Sequence, residues 1–126
     1  MKRDCIDFHR VDDAHLVMHA RLENWARWVS PRRQGWSSAA IWRMGKPNGR
    51  QWHAPELRPA VDELDAAHME RAVRRLPHLN RDAIRWCYVI RCGPTRARKA
   101  LGATEAGLAR LVVEGRAMLQ NMDRRG

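Results

Sequence analysis

The chain has 126 residues, with 24 Lys and Arg against 14 Asp and Glu for a formal net charge of +10. That length holds one domain with one modest core, and no apolar run approaches the roughly 20 residues of a membrane span. The opening residues, MKRDCIDFHR, lack the apolar stretch of a secretory signal, so a soluble intracellular protein is expected.

Arginine dominates the charge: 21 basic residues are Arg, and only Lys2, Lys46 and Lys99 are Lys. The excess favours a polyanionic partner, nucleic acid before membrane surface, because no helix segregates aromatics from a basic face. Residues 1–65 hold 11 basic and 9 acidic side chains, a net of +2, whereas residues 66–126 hold 13 and 5, a net of +8. The second half is therefore the expected polyanion-binding half, and five of the six Trp lie in the first. Cys5, Cys87 and Cys92 are odd in number, which argues against a disulfide framework. A zinc site joining Cys87 and Cys92 to His68 or His78 matches no standard spacing. Cys87 reads as a core residue, and neither metal nor cofactor is expected.

In chain order, a helix is expected over about 13–29, capped by Asp12 or Asp13 and stopped by Pro31. Ala14, Met18, Leu22, Trp25 and Val29 form its apolar stripe, widened by Val17 and Trp28. Trp25 and Trp28 fit either core packing or a partner-facing aromatic patch. A polar turn through Trp36 leads to a short helix from Ala39 to Met44, with Ser37 or Ser38 as its cap. Between Gly45 and Pro59 lie Pro47, Gly49, Pro55 and Pro59, which exclude continuous helix. Lys46, Arg50 and Arg58 make that segment a contact surface, and Trp52 is either a stacking residue or a core anchor. A longer helix is expected over about 60–76, with Val61, Leu64, Met69, Ala72 and Leu76 inward and His68 at its boundary.

The informative stretch is LPHLNRDAIRWCYVIRCGPTRARKALGATEAGLARLVVEGRAMLQNM. Asn80 or Asp82 starts a helix in which Ala83, Cys87 and Ile90 share a face, joined by Ile84 and Trp86. Gly93 and Pro94 break it. A short helix follows from Thr95 to Leu101, closed by Gly102 where a left-handed backbone is wanted. Thr104 caps the last helix, whose inner face holds Leu108, Leu111, Val112, Gly115, Leu119 and Met122. Short helix, tight turn and longer helix are the layout of a helix-turn-helix. On this reading Thr104, Glu105 and Arg110 face the major groove, with Glu105 accepting from cytosine and Arg110 pairing with guanine. Arg96, Arg98, Lys99 and Arg116 hold backbone phosphates. Arg91, Arg124 and Arg125 read as solvated surface charges.

Residues 80–119 resemble region 4 of bacterial sigma factors. Leu101-Gly102 and Thr104 match the end of the scaffold helix and the start of the recognition helix. Leu108 and Val112 match the inward aliphatics of that helix, and Gly115-Arg116 and Leu119 match its ending. The chain departs at Arg98, where that family usually has a small residue.

A wider resemblance runs from about Arg21 to Met122. RLENWARWV at 21–29, GWSSAAIW at 35–42, the Pro/Gly-rich centre and the sigma-like tail are similar to the Q antitermination proteins of lambdoid phages. The nearer branch is the shorter one, typified by the protein of phage 21. The resemblance implies a phage- or prophage-encoded protein acting in the bacterial host cytoplasm. Such a protein binds double-stranded DNA near the late promoter, loads onto paused RNA polymerase and prevents terminator hairpins from acting. It implies DNA contact by the 95–110 region. Trp25, Trp28, Trp36, Trp42, Arg50 and Trp52 become a candidate surface for polymerase or the RNA exit channel. It also admits nascent RNA and a second copy of the chain as partners.

The expectation is thus an all-α fold, one unit over 1–126, with a sigma-like helix-turn-helix at the C-terminus. Its Trp-rich stretch covers 10–59, and its helical region 60–126 contains the helix-turn-helix at about 82–122. No His-Glu-x-x-His, phosphate loop or nucleophile elbow points to an enzyme. His15 and His19 stand four apart on one helix face with no acid completing a metal site. The alternative is a helix-turn-helix repressor or activator acting at initiation, dimerising on symmetric half-sites. A ribosomal or RNA-binding structural protein comes third.

Overall fold

A computed structural model describes residues 10–32, 36, 39–44 and 61–125, which are helical with no strand among them. A 3-10 turn at Asp13–His15 leads into α1, Leu16–Val29, which runs on into a second 3-10 turn at Ser30–Arg32. The next helices are α2, Ala39–Met44, and α3, Glu63–Arg74. Helix α4, His78–Arg85, continues into a π-helical turn at Trp86–Ile90. Helices α5, Pro94–Leu101, and α6, Glu105–Arg125, complete the chain.

Helix α3 begins two residues after Val61 because Asp62 caps it, its carboxylate accepting from the Asp65 N–H at 3.1 Å. This cap satisfies one of the helix's otherwise unpaired N–H groups. Helix α4 starts earlier than the Asn80 or Asp82 expected, directly after Pro77, whose fixed φ of −53° suits a helix start. Asn80 is instead buried and donates its side-chain amide to the Leu111 carbonyl of α6 at 3.0 Å. The π-turn was not anticipated. It ends at Arg91, whose φ of 54° makes it the one non-glycine residue with positive φ among those described. A left-handed conformation costs an ordinary L-residue about 1 kcal/mol.

Helix α1 lies against α3, and α4 against α6, so both halves of the sequence contribute to one core. Met18, Leu22, Trp25 and Val29 of α1 are buried as expected, while Ala14 and Val17 are exposed. Leu64 is also a correction: at 87% exposure it faces away from the core, because Ala66, Met69, Glu70 and Val73 form the buried face of α3 at helical spacing and Leu64 falls opposite them. On α6, Leu108, Val112, Gly115 and Leu119 are buried, with Leu111 and Met122 partly covered. The approach of α4 to α6 depends on Gly115. A Cβ placed there would meet Ile84 Cγ1 at 2.8 Å, which is inside van der Waals contact.

Polar side chains bind the halves together. Arg21 of α1 donates Nη2 and Nε to Asp65 Oδ1 of α3 at 2.8 and 3.1 Å, and its Nη1 lies 3.1 Å from Asp123 of α6. Asn24 makes a two-way pair with the Asp62 backbone, donating to its carbonyl at 2.9 Å and accepting from its N–H at 2.8 Å. Trp25 donates its indole N–H to Glu70 Oε1 at 3.0 Å, while Glu70 Oε2 accepts from Arg74 at 2.7 Å.

Candidate nucleic-acid interface

Gly102 closes α5 with φ 66° and ψ 35°, and the N–H groups of Gly102 and Ala103 both turn back to the Arg98 carbonyl. This left-handed closure is what glycine permits without a Cβ penalty. Thr104 then caps α6, its Oγ1 accepting from the Gly107 N–H at 2.9 Å. Two helices joined by a three-residue turn stand as the sequence suggested.

The expected DNA-contact residues divide by exposure. Arg96, Lys99, Thr104 and Arg110 are exposed, and Arg98 and Glu105 are half-buried. Thr104 uses a lone pair as the helix cap, which leaves its hydroxyl hydrogen able to donate. The outward face of α6 carries Ala106, Arg110, Val113 and Glu114, so Arg110 is its principal positive charge.

Arg116 is not a phosphate contact. It is 2% exposed and donates Nε to Tyr88 Oη at 2.9 Å, with its guanidinium 5.7 Å from that ring's centroid. Tyr88 Oη also lies 2.7 Å from His19 Nδ1, and Nε2 of the same ring is 3.5 Å from Glu23 Oε1. Burial pushes the Tyr88 phenol up to about 12 despite the neighbouring arginine, so it stays neutral and able to donate. Arg116 stands four residues after Val112 and three before Leu119, at the edge of the inward face of α6, and Tyr88 from another element draws it in.

Two of the Trp expected to face a partner are also interior. Trp25 is fully buried and Trp36 is 9% exposed; their rings stack with centroids 6.2 Å apart. Arg85 lies 4.3 Å from the Trp36 ring, a cation–π contact that offsets some of the desolvation of its buried charge. That desolvation pulls the Arg85 pKa down to about 10, which leaves it charged at neutral pH. Glu70, Trp25, Trp36, Arg85 and Asp82 thus form a polar and aromatic column through the core. Trp28 is half-buried against the core, whereas Trp42 is 77% exposed on α2. Arg50 and Trp52 lie outside the described residues, as do the capping serines.

The sequence reading missed a second basic feature. Arg43 of α2, Arg91 after the π-turn, and Arg96 and Lys99 of α5 line a cleft of about 760 Å³ that has no acidic residue in its wall among the described residues. Arg91 had read as an ordinary surface charge. Its positive φ is invisible in sequence, and nothing in local spacing brings Arg43 beside Ala100, 57 residues away. Among the described residues, no three His, Cys, Asp or Glu side chains converge as a metal-ligating group, and no helix is long and apolar enough to cross a membrane. No family model matches the chain, and no curated protein or solved structure matches it either.

Proposed function

We propose that this protein is a phage-type transcription antiterminator. It binds double-stranded DNA near a late promoter through α5 and α6, loads onto paused RNA polymerase and suppresses termination by narrowing the RNA exit channel. The observation that carries the DNA half is the three-residue turn between α5 and α6. It leaves Thr104 and Arg110 exposed at the start of the longer helix, with Arg96 and Lys99 exposed on the shorter one. Arg110 is suited to a guanine edge, and Arg96 and Lys99 to phosphates. The polymerase half rests on the resemblance over residues 21–122. Its accessible aromatic residues are Trp42 and, in part, Trp28.

The second reading, a repressor or activator acting at initiation, gains from the burial of Trp25 and Trp36. With those rings in the core, much of the N-terminal half supports the fold rather than facing a partner. Retention on polymerase separates the two readings. Paused complexes on a template with the cognate DNA element should keep the protein after they move past that element. Release on departure from the element would favour action at initiation.

A further inference from the structure

Four cations from three parts of the fold meet around the α2–α5 cleft, and no acid lies in its wall among the described residues. Arg43 and Arg96 each make one long hydrogen bond, at 3.4 Å, to the carbonyls of Ala100 and Met44. Among the described residues, neither these two nor Arg91 and Lys99 pair with a carboxylate. Like charges gathered in a concavity repel one another and concentrate an anion that enters.

The backbone supplies a separate argument. Arg91 holds φ 54° and ψ 31°, a conformation that suits glycine or asparagine. The residue least suited to that backbone is the one whose charge lines the cleft. Strained non-glycine positions and π-turns both concentrate at functional sites.

We propose that this cleft binds single-stranded nucleic acid through its phosphates, with Trp42 offering a stacking face for a base. The cleft has the dimensions of a small-ligand site. Single-strand binders combine a cationic groove with an aromatic face on which a base stacks. Trp42 immediately precedes Arg43 and is 77% exposed. The outward face of α6 has a different character, since Arg110 shares it with the acidic Glu114. This site deepens the antiterminator reading by giving the exit-channel RNA a place to lie, yet it stands without that reading, since it needs neither α6 nor polymerase.

The test is fluorescence anisotropy on a short labelled oligothymidylate and a labelled duplex across a salt series. Arg91→Gly substitutes the residue that the backbone prefers, so it should melt at or above the wild-type temperature. It should nevertheless bind oligothymidylate more weakly, with a log–log salt slope shallower by about 0.7. Arg91→Gln keeps the backbone cost and removes the charge, and it should lose the same affinity. Arg43→Ala should behave likewise, and duplex affinity should be unchanged in all three. Trp42→Ala should weaken oligothymidylate about fivefold or more, the effect of one lost base stack, without changing the salt slope. The proposal is overturned if wild type does not bind oligothymidylate, or if the Arg variants lose duplex affinity equally. A Trp42→Ala protein that binds as wild type would remove the stacking face and the single-strand assignment with it.

Discussion

Arg96 and Arg110 are both exposed, yet they stand in different positions relative to the turn between α5 and α6. If Arg96 holds phosphates as proposed, R96A should weaken specific and scrambled duplexes alike and flatten the salt slope by about 1. R110A should lose about 1–3 kcal/mol, mainly on the cognate duplex. Anisotropy at several salt concentrations checks both, and equal losses for R110A on the two duplexes would remove it from base reading. Tyr88 gives a residue-scale prediction about pH. Its folded-state pKa, about 12, lies above the ordinary value of 10, so the unfolded chain ionises first as pH rises. The folded state then holds more protons than the unfolded one, and stability falls between those two values. Wild type should lose about 1 kcal/mol by pH 11 relative to its value at pH 9, beyond any loss seen in Y88F. Parallel urea-midpoint profiles for the two proteins would show that Tyr88 does not carry the effect.

At the scale of the helices, the contact of α4 with α6 turns on one missing side chain. Gly115→Ala would press a methyl group into Ile84, whose Cγ1 is too close to the backbone to move freely. It should cost about 1–3 kcal/mol, as overpacking does. Leu108, fully buried on the same helix, should cost about 2–5 kcal/mol as L108A. Urea melts decide both; wild-type midpoints would contradict the packing described. These two positions were legible in the sequence, because helical spacing puts Leu108, Val112, Gly115 and Leu119 on one face. Gly102 was legible too, since a helix stop with a left-handed residue has a composition signal. Arg116 was not, because its fate is decided by Tyr88 on another element. Leu64 misled for a different reason: it is apolar, but it stands five residues before Met69 and off the buried face of that helix. The π-turn and the strained Arg91 that follows it were not legible either. Spacing reports which residues share a face of a regular helix, and those two features interrupt the helix.

For the molecule as a whole, the stretch that carried the family resemblance is largely structural. Within 21–29, Arg21 holds Asp65 and Asp123, Asn24 holds the start of α3, and Trp25 holds Glu70. Trp36 extends this framework to Arg85. The Trp-rich half is therefore built into the same core as α5 and α6, and its loss should unfold both. Trp25→Ala should cost about 3–5 kcal/mol and abolish duplex binding along with the fold. Trp42→Ala, at an exposed position, should melt as wild type and bind duplex normally. Thermal melts recorded with the binding curves distinguish the two variants. The cleft extends the basic surface beyond the two terminal helices and draws Arg43 into it from the half with the smaller net charge.

The most direct test of antitermination is reconstituted transcription through an intrinsic terminator, with the protein added before or after polymerase leaves its pause beside the cognate DNA element. Readthrough should require that element in cis, arise only when the protein is present at the pause, and persist after the element is left behind. W42A should bind the element and fail to give readthrough. Unchanged termination together with altered initiation would contradict the antiterminator account.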